Sequence, residues 1–336
     1  MTRVSVIIPC YNEEKTIELL LKAIYEQTFS HLNAEVIIAD GMSTDRTRQH
    51  IEAFQAAHPA MPIRLVDNPR RNIPAALNSA LRAATGDYIV RLDAHSEPAP
   101  DYIERCLEDL QSGKGEIVGG IWMIRPSGQG WMARSIAAAA AHPIGVGDAL
   151  YRYTTQAGAV DTVPFGAFRR DLIERIGAFD EKLLTNEDYE FNTRVRQGGG
   201  AIWLNPAIRS VYYARPGLVD LVRQYWRYGF WKFQMLRRYP TTLRWRQALP
   251  PLFVLSLVLL ALSGLFWPFG WFLLGIELFA YMCILIVSSI PSARRQGDWR
   301  LVIGIPLAIG GMHAAWGAGF LGSMVKSLSG WDPRRA

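Results

Sequence analysis

Val4-Ser5-Val6-Ile7-Ile8-Pro9-Cys10-Tyr11-Asn12-Glu13 opens the chain, and its reading decides the fold. A short β-branched run, 4–8, gives way to polar residues, the pattern of an inner strand that ends at an exposed edge. Runs at 36–39, 63–66 and 88–92 repeat it. Between them Ile17, Leu20, Leu21 and Ile24 recur at helical spacing, 45–54 and 74–84 look similar, and Asn72 with Pro74 makes a helix start. This alternation predicts an α/β fold with a doubly wound, mostly parallel sheet. Such sheets bind ligands at the carboxyl ends of their strands. Those ends carry Tyr11-Asn12-Glu13, Asp40-Gly41 and Asp93-Ala94-His95.

Composition divides the 336 residues. Charges are spread through the chain to about Arg246, whereas none occurs from 248 to 275. A bilayer requires so long an uncharged run and a soluble core does not. The expected organisation is a cytosolic domain over 1–217, an interfacial amphipathic segment over 218–246, and a membrane region over 247–327. Apolar stretches at 248–266, 269–290 and 301–325 give two or three spans, the first two joined by Trp267-Pro268-Phe269-Gly270. The third contains six glycines, which weaken a helix, and a full span would put Arg334 and Arg335 outside, so it reads as tilted or partly re-entrant. Segment 218–239 mixes Trp226 and Trp231 with Arg223, Arg227 and Lys232; it fits a helix in the membrane interface, a buried amphipathic helix being the alternative.

No signal core is read at the N-terminus, so the first domain is expected in the cytosol and the protein in the cytoplasmic (inner) membrane. Cys10, Cys106 and Cys283 make neither a disulfide framework nor a metal motif. The net charge of +6 is modest, and Arg237, Arg238, Arg244 and Arg246 cluster beside the first apolar run. Their position suits membrane lipids rather than nucleic acid.

Three groups of residues have chemistry to offer. Asp93 and His95, two apart at a strand end, point to one side and suit a divalent cation, although structural hydrogen bonding explains most such pairs. Asn186-Glu187-Asp188 precedes a helix; a carboxylate there serves as a general base or merely complements the helix dipole. Arg227, in Gln224-Tyr225-Trp226-Arg227-Tyr228, is suited to a diphosphate, as any interfacial arginine would be.

Taken in order, these motifs resemble glycosyltransferase family 2, with its GT-A fold, and within it the exopolysaccharide (succinoglycan-type) ExoA-like enzymes. The resemblance covers about 4–235, and 160–170 with Ile176-Gly177-Ala178-Phe179-Asp180 strengthen the closer match. It implies that Pro9, Tyr11 and Glu13 meet the nucleotide, that Asp40 bonds a uracil, and that Arg71 touches a phosphate. Asp93 and His95 take the metal and diphosphate position, Asp188 is the base with Glu187 beside it, and Gln224, Arg227 and Tyr228 close over diphosphate and acceptor.

The resemblance further implies an inverting transferase that moves one sugar, expected to be glucose from UDP-glucose, onto a polyprenyl-diphosphate-linked saccharide, with Mn2+ or Mg2+. Two departures bear on this. His95 stands where the family has a second aspartate, which favours manganese over magnesium. Tyr228 replaces the tryptophan of many processive synthases, and the short membrane tail also points to single-sugar transfer. The alternatives are a polyprenyl-phosphate sugar synthase, which has less need of a base, and a nucleotide-binding membrane scaffold without turnover. Glu277, alone in an apolar stretch, is a functional candidate or a structural hydrogen-bonding partner of Tyr281 or His313.

Overall fold

The computed structural model describes residues 3–30 and 33–330. Its strands are β1 (Val4–Cys10), β2 (Ala34–Asp40), β3 (Ile63–Asp67), β4 (Tyr88–Arg91), β5 (Glu97–Pro98), β6 (Ile117–Pro126), β7 (Gly158–Ala159), β8 (Ala167–Arg169) and β9 (Ile202–Ala214). Its helices are α1 (Ile17–Tyr25), α2 (Thr47–Ala57), α3 (Ile73–Ala83), α4 (Tyr102–Gln111), α5 (Trp131–Ala140), α6 (Pro143–Val146), α7 (Asp171–Ile176), α8 (Glu187–Gln197), α9 (Leu218–Leu236), α10 (Trp245–Gly264), α11 (Phe269–Gln296) and α12 (Leu301–Leu328).

The strands form one sheet in the order β3-β2-β1-β4-β8-β6-β9-β5, with β7 on β9. β1 pairs in parallel with β2 and β4, and β2 with β3, as the βαβα alternation predicts. Beyond β4 the sheet is mixed: β8 is antiparallel to β4 and β6, and β5 and β7 are antiparallel to β9. Every residue of β1 is buried because helices cover both faces, and its side chains join those of α1 and α4 in one apolar core. Register levels the strand ends. Cys10 lies opposite Asp40, and Asp40 opposite Asp67, so the three following loops leave from one edge.

The chain divides into two compact units: one runs through Met123 and includes Tyr153–Tyr212; the other joins Ile124–Arg152 to the chain from Tyr213 onward. This differs from the linear division expected at 217. Segment 124–152 belongs with the second unit because Ile136, Ala137 and Ala139 of α5 share an apolar cluster with Leu301, Ile305 and Ala308 of α12.

Within the second unit α10, α11 and α12 are each long and apolar enough to cross a membrane. The glycines expected to weaken α12 do not interrupt it. Gly304, Gly317 and Gly319 are where another helix comes close: a Cβ on Gly319 would stand 2.2 Å from the Trp226 carbonyl oxygen of α9, and one on Gly229 of α9 would stand 2.0 Å from that of Trp316. Gln234 donates to Ser323 at 2.7 Å and to Ser327 at 3.1 Å along the same seam. α9 therefore buries one face, including Leu221, Tyr225 and Phe230, while Val219, Val222 and Trp226 remain exposed. Glu277 accepts from Ser256 at 2.6 Å, whereas Tyr281 bonds His313 at 2.8 Å, so neither predicted partner is the one Glu277 uses. Arg334 and Arg335 lie outside the described residues.

Candidate active site

The loops that follow β1 and β2 are tied to each other. Asn12 N–H donates to Ser43 Oγ at 2.9 Å, and Thr44 N–H returns a bond to Asn12 Oδ1 at 2.8 Å. Glu13 N–H donates to Thr47 Oγ1 at 2.8 Å. The exposed Tyr11 ring rests on Gly41, where a Cβ would meet it at 3.1 Å and the ring would have to shift by a few tenths of an ångström. Pro9 is buried at the end of β1. Burial first, and the Asp40 charge second, push the Cys10 thiol far above its usual range, so it is no nucleophile.

Non-glycine residues with positive φ concentrate here. Asn12 (54°), Met42 (60°) and Arg71 (52°) follow β1, β2 and β3, and Asn186 (70°) precedes α8. Such backbone is costly and persists where the surroundings enforce it, commonly at binding sites. Arg71 is exposed in the loop after β3, which suits the phosphate contact expected of it.

Asp40 is placed differently from expectation. Its side chain is 0% exposed and accepts from Arg48 Nε at 2.6 Å, Ser43 N–H at 3.0 Å and Ser43 Oγ. A direct bond to a base does not fit this sealed carboxylate. Arg48 continues to the exposed Asp67, and its hydrogen bonds to Asp67 and Asp40 hold its pKa above the ordinary value. Asp40 thus shapes the loop from below.

At the end of β4 the structure brings together acids that are far apart in sequence. Arg91 is 3% exposed, and its Nη2 donates to Asp93 Oδ1 at 3.1 Å and Glu187 Oε1 at 3.0 Å, while Nη1 is ion-paired with Asp188. Burial would lower the guanidinium pKa; the charges of Asp93 and Glu187 overcome it and raise it. The side chain of Asp188 is 29% exposed against 10% for Glu187, so Asp188 is the more open to a substrate. Sequence reading missed Arg91. The available signal was an arginine in Tyr88-Ile89-Val90-Arg91-Leu92, since a charge inside an inner strand needs a partner.

Ser96 N–H bonds the Asp93 carbonyl at 2.9 Å, closing a turn that leaves His95 exposed with Nδ1 on Glu13 Oε1 at 3.0 Å. Thr16 holds the other Glu13 oxygen at 2.6 Å. Among the described residues no three His, Cys, Asp or Glu side chains cluster to hold an ion unaided. Asp93 and His95, two residues apart beyond β4, are each engaged by another side chain, Asp93 by Arg91 and His95 by Glu13. Gln224, Arg227 and Tyr228 lie on α9 in the second unit, where Gln224 Nε2 donates to Tyr228 Oη at 2.9 Å.

Residues 5–177 match Glycosyl transferase family 2. Succinoglycan biosynthesis protein ExoA of Rhizobium meliloti (strain 1021) is 30% identical over 94% of this chain and 93% of that protein. Dolichyl N-acetyl-alpha-D-glucosaminyl phosphate 3-beta-D-2,3-diacetamido-2,3-dideoxy-beta-D-glucuronosyltransferase of Methanococcus voltae is 27% identical over 98% of this chain and 99% of that protein. Mannosyltransferase PcManGT from Pyrobaculum calidifontis, solved with GDP-Man and Mn2+, has a TM-score of 0.60 at 23% identity, covering 98% of this chain and 88% of that one. That likeness shows a shared fold.

Proposed function

This chain belongs to glycosyl transferase family 2, and on that premise we propose that it transfers one sugar, glucose from UDP-glucose, with inversion onto a lipid-linked saccharide during exopolysaccharide assembly. The observation that supports this best is the cluster in which buried Arg91 joins the strand-end acid Asp93 to the helix-start acids Glu187 and Asp188. It sets an acid for the donor's diphosphate beside an acid open to an acceptor. The names of both curated relatives describe glycan assembly, one of them on a dolichyl phosphate-linked sugar.

In this reading Tyr11 and the loops after β1 and β2 receive the nucleotide, and Arg71 a phosphate. Asp188 takes the proton of an acceptor hydroxyl as its oxygen attacks the anomeric carbon. The bond to the nucleoside diphosphate breaks on the opposite face, so configuration inverts. Arg227 and Gln224 supply donors for diphosphate oxygens, and Tyr228 a surface for the acceptor sugar. Asp93 and His95 would hold a divalent cation, which supplies positive charge to the departing diphosphate.

Packing supports a two-span membrane arrangement. Only 22% and 11% of the most apolar windows of α10 and α11 are buried within the protein, against 50% for α12. We assign the two crossings to α10 and α11. α12 then remains on the side of Arg244, Arg246, Arg294 and Arg295, in keeping with the cytosolic preference of basic flanks.

Asp188→Asn tests the chemistry. The amide preserves shape but accepts no proton, so transfer falls by about 10²–10⁴-fold while UDP affinity stays within a few-fold. Both are measured on one purified preparation, by product formation and calorimetry. Transfer near the parent rate removes Asp188 from the mechanism.

A further inference from the structure

We infer that Arg91 is a positioning residue that sets Asp188 at a fixed place relative to the donor-side acid Asp93; this rests on the reading of Asp188 as the base. Its partners come from two separate elements, Asp93 just past β4 and Glu187 and Asp188 in the first turn of α8. The guanidinium is one planar, rigid group, with Nη2 hydrogen-bonded to Asp93 and Glu187 and Nη1 ion-paired with Asp188, so it ties the three carboxylates to a single support. An ammonium is a point charge and offers no such planar support.

A purely structural role for Arg91 is poorly supported by the surroundings. α8 is anchored elsewhere. Tyr189 donates to Asp161 at 3.1 Å, and Asn192 donates to Thr162 at 2.7 Å. Arg194 donates to the Ala178 carbonyl at 2.8 Å. None of these contacts needs Arg91. Charge cancellation is only part of its role, because one cation faces three carboxylates. What Arg91 adds is the orientation of the first turn, where Asp188 sits at the most exposed point of the cluster. Asn186, held left-handed at φ 70°, starts that turn and fixes its approach.

A misplacement of about 1 Å between reacting groups costs about 10²-fold in rate. Arg91→Lys keeps the charge and loses the fork, so kcat falls by about 10–100-fold with KM for the nucleotide sugar within a few-fold. The deciding measurement is a cycle with Asp188→Asn, using UDP-glucose, lipid-extract acceptor and full-length protein. If Arg91 acts through Asp188, Arg91→Lys lowers kcat in the parent and leaves the residual rate of Asp188→Asn within about two-fold. An equal fold-loss in both backgrounds overturns the positioning role and leaves the base assignment standing. An Asp188→Asn enzyme as fast as the parent overturns the base assignment itself, a separate outcome. Should Arg91→Lys not fold, the charge-matched Arg91→Gln/Glu187→Gln variant removes a buried acid together with the cation and enters the same cycle, with the same two outcomes.

Discussion

Gly229→Ala puts the close seam between α9 and α12 under test. The added Cβ would stand 2.0 Å from the Trp316 carbonyl oxygen and 2.8 Å from its carbonyl carbon. Both are backbone atoms, so no rotamer relieves the contact. Ordinary contact begins at 3.4 Å, leaving a shortfall of about 1.4 Å that only separation of the helices removes. Such a gap forfeits a quarter to a half of each flanking dispersion contact, and it stretches the 2.7 Å Gln234–Ser323 bond beyond hydrogen-bonding range. Overpacking costs about 1–3 kcal/mol and the lost bond about 1 kcal/mol. Replacing glycine inside a helix returns about 1 kcal/mol. The net loss is about 1–3 kcal/mol, and at roughly 2–4 °C per kcal/mol Tm falls by about 2–12 °C. Gly322→Ala is the control on α12 away from the seam, for its Cβ meets nothing within 4 Å and only the helix gain remains. Differential scanning fluorimetry in detergent compares them. A Gly229→Ala protein as stable as Gly322→Ala would refute the close approach.

His95→Asp exchanges imidazole nitrogen for carboxylate oxygen, so the ratio of the manganese-supported to the magnesium-supported rate should fall; an unchanged ratio places His95 away from the ion. Asp148 accepts from Arg244 at 2.8 Å and also from Arg246; against burial, which alone would raise it, these arginines hold its carboxyl below the usual range. Its stabilisation is therefore complete above the unfolded carboxyl pKa and is lost as pH falls through the lower folded value. Asp148→Asn should unfold earlier than the parent at pH 7, with the difference shrinking below about pH 4, which thermal scans at both pH values would check. With α10 and α11 as the two crossings, Pro268→Cys in the turn between them reacts with an impermeant maleimide from outside the cell. Ser329→Cys reacts only after the membrane is opened; the reverse pattern refutes the two-span assignment.

How much of this was legible in the sequence depended on whether the signal was local. β1 to β4 fall within two residues of the runs read from hydrophobic pattern, because each is built on a short β-branched or apolar run that a parallel sheet buries. β5, β7 and β8 span two or three residues each, too few for any alternation to register. The left-handed residues Asn12, Met42 and Arg71 are not glycine, and nothing local announces a conformation that neighbouring loops impose. The glycines of α12 were visible and misjudged. Intrinsic propensity counts them as defects in an isolated helix, whereas between helices in contact the missing Cβ is what permits the approach. Asp188 could be singled out by its place before a helix, but its partner could not, because Arg91 lies almost a hundred positions earlier. The strand still held the clue. A buried arginine amid Ile89, Val90 and Leu92 requires a carboxylate to balance it. Pairing buried charges across the fold is thus the step by which two weak motifs, one at a strand end and one at a helix start, become a single chemical arrangement.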